Sequence, residues 1–454
     1  MRDPKLRFPV ALAGITLFAL AIRVAFVVVV APKVAALGDA SAYHLLAEHL
    51  AHGGGYIRPF DDLLLHLQRP TAEYPPLFPV LLSLPARLGA HSVRQQQIFV
   101  TFVGAATVAL VGLLGRRVAS DGVGLCAAAL AAVYPMLFLP ETTLMAESLY
   151  VALVTLLLLC AYRAYDTPTP VRFVTLGAVI GLATLTRAEG ILLGVLATVP
   201  LGLVLRDLTS RQRTARVAVA LGVAVAVVAP WTVRNALRFH TFVPVSNNVA
   251  TLIDGANCDA TYRGSQLGLW RETFSQVGNR AGKLPQAEAC FQGFDIRDPH
   301  FDEAKAASAD TRAGLSYARH HLGSVPNVAV VRVLRTWGLY APRQQVNFES
   351  LEGRPRNWQM RGTIMFWLLA PFAIAGGVIV RRRRRMLWPL VATAVTVTVV
   401  AAVTYGQQRF RIAAEPAILV LAAVAVVQLI RVSGVGRRRS SGSASGPQPT
   451  PPPA

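Results

Sequence analysis

Two carboxylates mark the ends of one polar loop near the N-terminus. Asp39 lies in the run Gly-Asp-Ala-Ser-Ala-Tyr at residues 38–43, and Glu73 lies in the run Thr-Ala-Glu-Tyr-Pro-Pro-Leu-Phe-Pro at residues 71–79. Long apolar segments flank this loop, so each acid lies where the chain leaves or re-enters a lipid boundary. An acid in such a place is costly unless it has a partner or a function. We therefore predict that the loop forms the centre of an active site on one membrane face.

Glu147 is a further candidate acid. It falls at helical spacing with Thr143 and Tyr150, so the three side chains share a face that we expect to point inward, about a turn and a half below the outer end of its span. A buried acid needs a cationic or hydrogen-bonding partner. Arg187, at the outer junction of two later apolar segments, is the partner that we predict, with Glu189 as a second neighbour. A purely structural ion pair is the alternative.

The composition requires many membrane spans to position these residues. Hydrophobic residues make up 53% of the chain, charged residues only 15%, and the mean hydropathy is +0.45. This composition is too apolar for a soluble protein of this length. We predict an all-α polytopic membrane protein with about ten spans of suitable length. These are residues 8–31, 95–114, 122–139, 143–162, 173–186, 190–205, 217–232, 363–380, 386–404 and 416–430, with a short interfacial helix at 75–88.

The arginines set the expected orientation. A cytoplasmic N-terminus and C-terminus place the clustered arginines of the short loops inside, as the positive-inside rule requires. The formal net charge is +21. Because this charge is divided among tight loops between helices, we expect no nucleic-acid partner. The polar loops, and with them the active site, then lie on the outer face of the cytoplasmic (plasma) membrane.

The pattern divides the chain into four parts. We predict a membrane module at 1–233 with a first outer loop at 32–94, an extracytoplasmic segment at 234–361, C-terminal transmembrane helices at 362–431, and a disordered cytoplasmic tail at 432–454. The outer segment contains Cys258 and Cys290, and two cysteines in an oxidising compartment predict a disulfide. Its helical stretch carries Arg332, Arg335 and Trp337, a basic and aromatic face suited to lipid headgroups.

Arg23 is the remaining unusual charge. It lies inside the outer half of the first span, where it should either snorkel or point into the bundle. If it points inward, Glu147 or a backbone carbonyl is the expected partner.

Several motifs, taken in order, resemble glycosyltransferase family 39 of the GT-C superfamily, which includes protein O-mannosyltransferases and lipid A aminoarabinose transferases. The resemblance covers nearly the whole chain. It rests on the Gly-Asp of Asp39, the following Gly-Gly-Tyr, Tyr-Pro-Pro-Leu-Phe-Pro, Glu-Ser-Leu-Tyr from Glu147, Thr-Arg-Ala-Glu-Gly around Arg187, Pro-Trp-Thr-Val-Arg-Asn from Pro230, and Arg-Phe-Arg from Arg409.

The resemblance implies transfer of a sugar, with inversion, from a polyprenyl-phosphate donor to an extracytoplasmic acceptor. Asp39 stands where relatives keep the acid taken as general base, Glu147 matches the second inward acid, and Glu73 matches an acid tied to a divalent metal or to the donor phosphate. Magnesium or manganese is thereby left open as a cofactor. The sugar and the acceptor do not follow from the sequence.

The phosphate contacts depart from the family pattern. Aminoarabinose transferases have a lysine after the acid at Glu73, where this chain has Tyr74. We therefore assign the donor phosphate to Arg187, Arg409 and Arg411, with Tyr74 beside them. Membrane lipid is the surrounding partner, because the donor's lipid tail needs a groove between helices.

Two other classes of function remain as alternatives. A transporter or flippase of a lipid-linked sugar would place its charges near the bilayer midplane, on broken helices in two related halves. The chain shows no clear internal repeat. A non-catalytic scaffold would not need two acids on one short loop. We favour the transferase.

Overall fold

Each long apolar run of the sequence forms a helix, because a chain in lipid must satisfy its backbone hydrogen bonds internally. The computed structural model describes residues 7–33, 35–36, 38–270, 290, 298 and 301–442, with side chains described up to residue 433. In this part of the chain the secondary structure is helical, apart from one isolated antiparallel bridge between Ile57 and Pro70. The all-α class predicted from the sequence is confirmed.

The helices follow one another along the chain. They are α1 (Arg7–Val29), α2 (Asp39–Ala51), α3 (Pro59–Leu65), α4 (Leu77–Arg87), α5 (Val93–Val118), α6 (Asp121–Val133), α7 (Pro135–Thr142), α8 (Glu147–Asp166), α9 (Pro170–Thr186), α10 (Gly190–Val204), α11 (Ser210–Arg238), α12 (Asn248–Ala256), α13 (Asp259–Tyr262), α14 (Glu303–His320), α15 (Val325–Thr336), α16 (Pro342–Ser350), α17 (Arg356–Arg382), α18 (Trp388–Val403) and α19 (Glu415–Gly442).

Six of these helices, α1, α5, α8, α11, α17 and α19, are long and apolar enough to cross a membrane. The pair α6 and α7 passes the same test as one span bent by 47°, and α9, α10 and α18 are shorter apolar helices. Each of the ten predicted spans therefore falls on a helix or on the bent pair. The chain is a multi-pass membrane protein, and the exact number of crossings stays a prediction.

The bend between α6 and α7 corrects the predicted continuous span at 122–139. Pro135 lacks an N–H and disfavours helical geometry at the residue before it, so Tyr134 adopts φ −80° and ψ 112° and the helix restarts.

Arg23 points into the bundle, as one of its two predicted orientations requires. Its acidic partner is Glu141, with Nε 3.0 Å from Oε1, and it donates to the carbonyl of Ala132 at 3.1 Å. The prediction that Glu147 is the acidic partner of Arg23 was wrong. The bent helix α7 presents Glu141 to α1 instead.

The first outer loop folds into α2, α3 and α4, with α4 in the place predicted for the interfacial helix. Tyr43 of α2 packs edge-on against Phe78 of α4, with ring centroids 5.1 Å apart. Gly38 precedes α2 with φ +102°, a conformation that side chains rarely adopt. This turn delivers Asp39 to the first position of the helix.

The outer segment docks on this loop through Glu303. The carboxylate of Glu303 accepts hydrogen bonds from Arg58 Nη1 at 2.7 Å, Thr71 Oγ1 at 2.7 Å and the Ala72 N–H at 2.8 Å. Asn247 donates to it as well, at 2.7 Å. The segment also contains the predicted disulfide between Cys258 and Cys290, whose Cα atoms lie 5.3 Å apart.

The prediction that Arg332 and Arg335 of α15 form a face for lipid headgroups is wrong. Arg332 and Arg335 are buried; Arg335 donates to the carbonyl of Leu267 at 2.6 Å, and Arg332 donates to Asn257 at 3.1 Å. Their charged groups satisfy backbone and amide oxygens of the outer segment, so they do not form an exposed basic surface.

The C-terminal end also differs from the prediction. Helix α19 continues to Gly442, past residue 432, where we expected the disordered tail to begin. Residues 443–454 of that predicted tail lie outside the described residues.

Candidate active site

Asp39 is the partly exposed acid of the site. Its Oδ2 lies 3.0 Å from Nη1 of Arg409, and its Oδ1 accepts a hydrogen bond from the hydroxyl of Tyr74 at 3.2 Å. Its side chain keeps 26% exposure. The carboxylate is therefore held on two sides while a part of it stays accessible.

Tyr74 acts here as a hydrogen-bond donor. Burial raises the pKa of its phenol well above the ordinary value, and the charges of Glu73 and Asp39 raise it further. The phenol therefore keeps its proton and orients Asp39. In this structure the tyrosine contacts the acid, and its assignment to the donor phosphate stays a prediction.

Arg409 contacts three carboxylates. Besides Asp39, its Nη1 lies 3.2 Å from Glu352 Oε1, and its Nε lies 3.7 Å from Glu147 Oε1. Burial disfavours the charged guanidinium, but Glu352, Tyr405 and Asp39 oppose this effect and raise the pKa of Arg409 well above its ordinary value. The arginine is thus a permanent cation between acids.

Arg187 is the second cation of the site. Its Nη1 lies 2.9 Å from Glu147 and its Nε lies 2.5 Å from Glu189. Both predicted neighbours are therefore present. Burial lowers the pKa of Arg187, whereas the charges of Glu189 and Glu147 raise it more, so that the net shift is upward. Its guanidinium also lies 5.6 Å from the Phe410 ring centre, which brings it to the same side of the molecule as Arg409.

Glu147 joins the two arginines. It is buried and lies between Arg187 and Arg409. It is the first residue of α8, because the turn after α7 takes up 143–146 and Leu144 adopts a positive φ of 50°. The prediction that Glu147 lies about a turn and a half inside its helix is corrected accordingly: the acid lies at the mouth of the bundle.

Arg411 lies away from Asp39, whereas Glu73 borders the site beside Tyr74. Arg411 is fully buried, and its Nε pairs with Glu415 at 2.6 Å, so the structure does not bring it to Asp39. Glu73 is half-buried, and its charge is among those that offset burial and raise the pKa of Arg58 above the ordinary value. Its charge also raises the pKa of Tyr74, the hydrogen-bond partner of Asp39, and its assignment to a metal or to the donor phosphate stays a prediction.

The end of α16, the start of α17 and the turn between them supply residues that sequence reasoning missed. Glu349 accepts a hydrogen bond from the backbone N–H of Arg409 at 3.2 Å, and Arg354 Nη1 lies 3.4 Å from its other oxygen. Gln359 also donates to this carboxylate. Two acids and an arginine just before an apolar span, at residues 349–354, were the available signal.

The site does not fit a metal held by protein ligands alone. Among the described residues no three His, Cys, Asp or Glu side chains come together as a metal-binding group. Asp39 and Glu147 are instead both compensated by guanidinium groups. We therefore derive no step through magnesium or manganese.

The chain is similar to known proteins in sequence over a part of its length and in fold over nearly all of it. Residues 73–233 match the family model described as dolichyl-phosphate-mannose-protein mannosyltransferase. No curated protein matches the chain. The oligosaccharyltransferase of Archaeoglobus fulgidus is similar in structure: with a tethered acceptor peptide it has a TM-score of 0.56 at 15% identity, and in the apo form a TM-score of 0.54 at 13% identity. Both alignments cover 98% of this chain, and respectively 52% and 53% of the archaeal chain. The chain has the GT-C fold.

The GT-C resemblance drawn from the sequence motifs is confirmed. The chain spans about half the length of the archaeal structures that it matches. The matched family range includes Glu73, Glu147 and Arg187, whereas Asp39 and Arg409 lie outside it. The ion pairs of Arg409 with Asp39 and Glu147 therefore depend on residues outside the range that the family model matches.

Proposed function

We propose that this protein is a membrane glycosyltransferase that moves a sugar from a polyprenyl-phosphate donor to an acceptor outside the cytoplasmic membrane. The family model is described by a dolichyl-phosphate-linked mannose donor. One of the similar archaeal structures, with a TM-score of 0.52 and 14% identity, is a complex with dolichol-phosphate. These descriptions support a lipid-linked donor and favour a transferase over the transporter alternative.

The observation that carries the proposal is the position of Asp39. It combines partial exposure with two fixed contacts, to Arg409 and to Tyr74. A base must reach the acceptor proton, and a leaving phosphate needs cations close by. Asp39 and Arg409 supply these two requirements within 3.0 Å of each other.

The reaction follows from these positions. Asp39 accepts the proton of the acceptor hydroxyl while the acceptor oxygen forms a bond to the anomeric carbon. The bond between that carbon and the phosphate oxygen breaks, and the phosphate leaves with the electron pair. Arg409 and Arg187 stabilise the charge that develops on it. Direct attack from the opposite face inverts the anomeric centre.

Orientation belongs to the same proposal. With both termini in the cytoplasm, the Asp39 site opens to the outside, where an acceptor of the cell envelope would approach. Glu147, the acid that a transporter would need near the midplane, lies at the end of α8 in contact with the outer loops. This position supports a site at the membrane surface.

The test is single-turnover transfer from mannosyl polyprenyl phosphate carrying a radiolabelled mannose, with cell-envelope membranes as the source of acceptor. Asp39→Asn should lower the rate by about 100- to 10,000-fold, the usual value of a general base. Binding of undecaprenyl phosphate, measured in the same preparation, should not weaken, since the replacement removes a negative charge beside Arg409. The amide keeps the size of the side chain and can still accept from Tyr74.

Asp62→Asn is the matched control. Asp62 lies on the same outer loop with the same 26% exposure, and it pairs with His49 rather than with Arg409. It should transfer sugar at the wild-type rate. A folded Asp39→Asn protein that keeps more than about a tenth of the wild-type rate would remove Asp39 from the base role, and failure of the wild type to bind undecaprenyl phosphate would overturn the proposed function itself.

A further inference from the structure

We propose that Glu352 is the carboxylate that the donor phosphate replaces on Arg409. The inference rests on the proposed function, since it concerns how the donor enters that site. It assigns Glu352 as a positioning residue that holds Arg409 before the donor binds and gives way when the phosphate arrives.

The hydrogen-bonding capacity of Arg409 supports this exchange. Its Nη1 carries two N–H groups, and two carboxylates approach that one nitrogen, Asp39 at 3.0 Å and Glu352 at 3.2 Å. Arginine binds phosphate best through two parallel N–H groups. A phosphate that uses Nη1 must therefore displace one of these two acids.

The charges at the site favour the same conclusion. Among the described residues, the four acids Asp39, Glu147, Glu189 and Glu352 form ion pairs with two guanidinium groups, those of Arg187 and Arg409. An added phosphate would meet an excess of negative charge at short range. Withdrawal of one carboxylate removes the repulsion and frees the cation in a single movement.

Glu352 is the acid most able to move. Asp39 is fixed at the start of α2 with Tyr74 as a second donor, and Glu147 is buried between both arginines. Glu352 lies on the turn between α16 and α17, with its side chain 22% exposed. Gln407 donates to its Oε1 at 3.1 Å, whereas its buried Oε2 has no hydrogen-bond partner among the described residues.

Gly353 fixes the position of the turn that carries Glu352. Gly353, the next residue, adopts φ +83°, and a Cβ added there would lie 3.2 Å from the Cβ of Ala36. The glycine brings the turn against the chain that leads to Asp39. Rotation of the partly exposed Glu352 side chain is enough to withdraw its carboxylate from Arg409 and leaves both α16 and α17 in place.

The test is equilibrium binding of undecaprenyl phosphate to the full-length protein in lipid nanodiscs. The Glu352→Gln variant keeps an oxygen that can accept from Gln407 but loses the competing charge. We expect binding about three- to ten-fold tighter than wild type, the usual range for removal of one like charge at a partly exposed site. The donor KM should fall together with kcat, because the product phosphate then leaves more slowly.

A structural role predicts the opposite sign. If Glu352 only supports the position of Arg409, Glu352→Gln should weaken binding of undecaprenyl phosphate. Glu352→Asp, which shortens the side chain but keeps its charge, should bind between wild type and Glu352→Gln. This second variant provides the same test if the amide folds poorly.

Glu48→Gln is the matched control. Glu48 lies on α2 with its side chain 20% exposed, and it pairs with His91 rather than an arginine. Its replacement removes the same charge from the outer loop and should leave phosphate binding unchanged. If wild type binds undecaprenyl phosphate and Glu352→Gln binds no more tightly, the exchange is overturned and the proposed function stands. If wild type does not bind it, the proposed function falls as well.

Discussion

Arg409 and Arg411 lie two residues apart on one 3₁₀ turn, Gln408–Ala413. Their surroundings nevertheless differ in the number of acidic partners and in the exposure of those partners to solvent. Arg411 is completely buried, pairs with Glu415, and lies 3.6 Å from the ring centre of Phe366. Tyr134 donates to the second oxygen of Glu415 at 2.9 Å. Arg409 faces three acids instead, two of them partly open to solvent.

The difference shows which buried charges can act on a ligand. In a one-to-one buried pair, the charge of the arginine is balanced by its single acid, and the surrounding aromatic rings leave no room for a phosphate. Such pairs contribute little net stability but are costly to break. In a cluster at the mouth of a bundle, one cation is shared by several acids and one side stays accessible, so a phosphate can take the place of one acid on that cation.

The pair of Arg23 and Glu141 is a buried one-to-one pair like that of Arg411 and Glu415. Both of its side chains are 1% exposed. Gly104 makes this possible, because a Cβ at that position would lie 1.9 Å from Glu141 Oε1. The glycine lets α5 close over the ion pair, so we assign the pair to helix packing.

The comparison is tested first at Arg411. Arg411→Ala should lower the free energy of unfolding by about 3–5 kcal/mol, because Glu415 would remain as an uncompensated buried charge. Thermal unfolding in detergent, read by loss of helical signal or by aggregation, measures the change. Sugar transfer per folded molecule should stay near that of the wild type.

A double replacement serves as the control. Arg411→Met with Glu415→Gln removes both charges, fills the space of the arginine and leaves an oxygen for Tyr134. It should regain most of the lost stability, since exchange of a buried ion pair for well-packed groups is often close to neutral. If both proteins unfold alike, the pair is not the source of the loss.

Arg409→Lys tests the open side of the comparison. Lysine keeps the positive charge but loses the planar fork that matches phosphate. Transfer of sugar should fall by about 100-fold, at the low end of what loss of one preorganised donor costs, with little change in thermal unfolding. A variant with normal transfer but reduced stability would place Arg409 beside Arg411 as a structural charge.

The sequence predicts the helices well because the hydrophobic pattern acts over many residues. It locates Asp39, Glu147 and Arg187 because acids and arginines at helix ends must find partners, and the predicted pairing of the last two is present in the structure. These inferences depend on spacing along single helices, where side-chain direction follows from the period of the helix.

The same reasoning could not separate Arg409 from Arg411. In a 3₁₀ turn of three residues per turn, positions two apart point in well-separated directions. An Arg-Phe-Arg run does not reveal whether it forms a loop or such a turn. Glu352 was missed for a related reason: its role depends on a contact with Arg409 across a long stretch of sequence, and no local pattern marks it.

Glu349 combines a feature of the buried pair of Arg411 with a feature of the open cluster around Arg409. It pairs with Arg354, as Glu415 pairs with Arg411, but it also borders the open cluster through the backbone N–H of Arg409. Burial raises the pKa of Glu349 to about 7, although Arg354 opposes the shift. An unfolded glutamate has a pKa of about 4.3. Between about pH 4.3 and about pH 7, Glu349 therefore keeps its proton in the folded protein and loses it in the unfolded chain.

The sign of the pH dependence follows. Where the folded state binds more protons, the free energy of unfolding falls as the pH rises. We expect Glu349 to contribute a loss of about 1 kcal/mol between about pH 6 and about pH 8. Glu349→Gln should remove this part of the slope. Asp254 and Asp310, whose pKa values burial raises to about 7 and about 6, remain in both proteins and cancel in the difference. Equal slopes for the two proteins would mean that Glu349 is ionised throughout, which would add one more negative charge beside Arg409 for the donor phosphate to overcome.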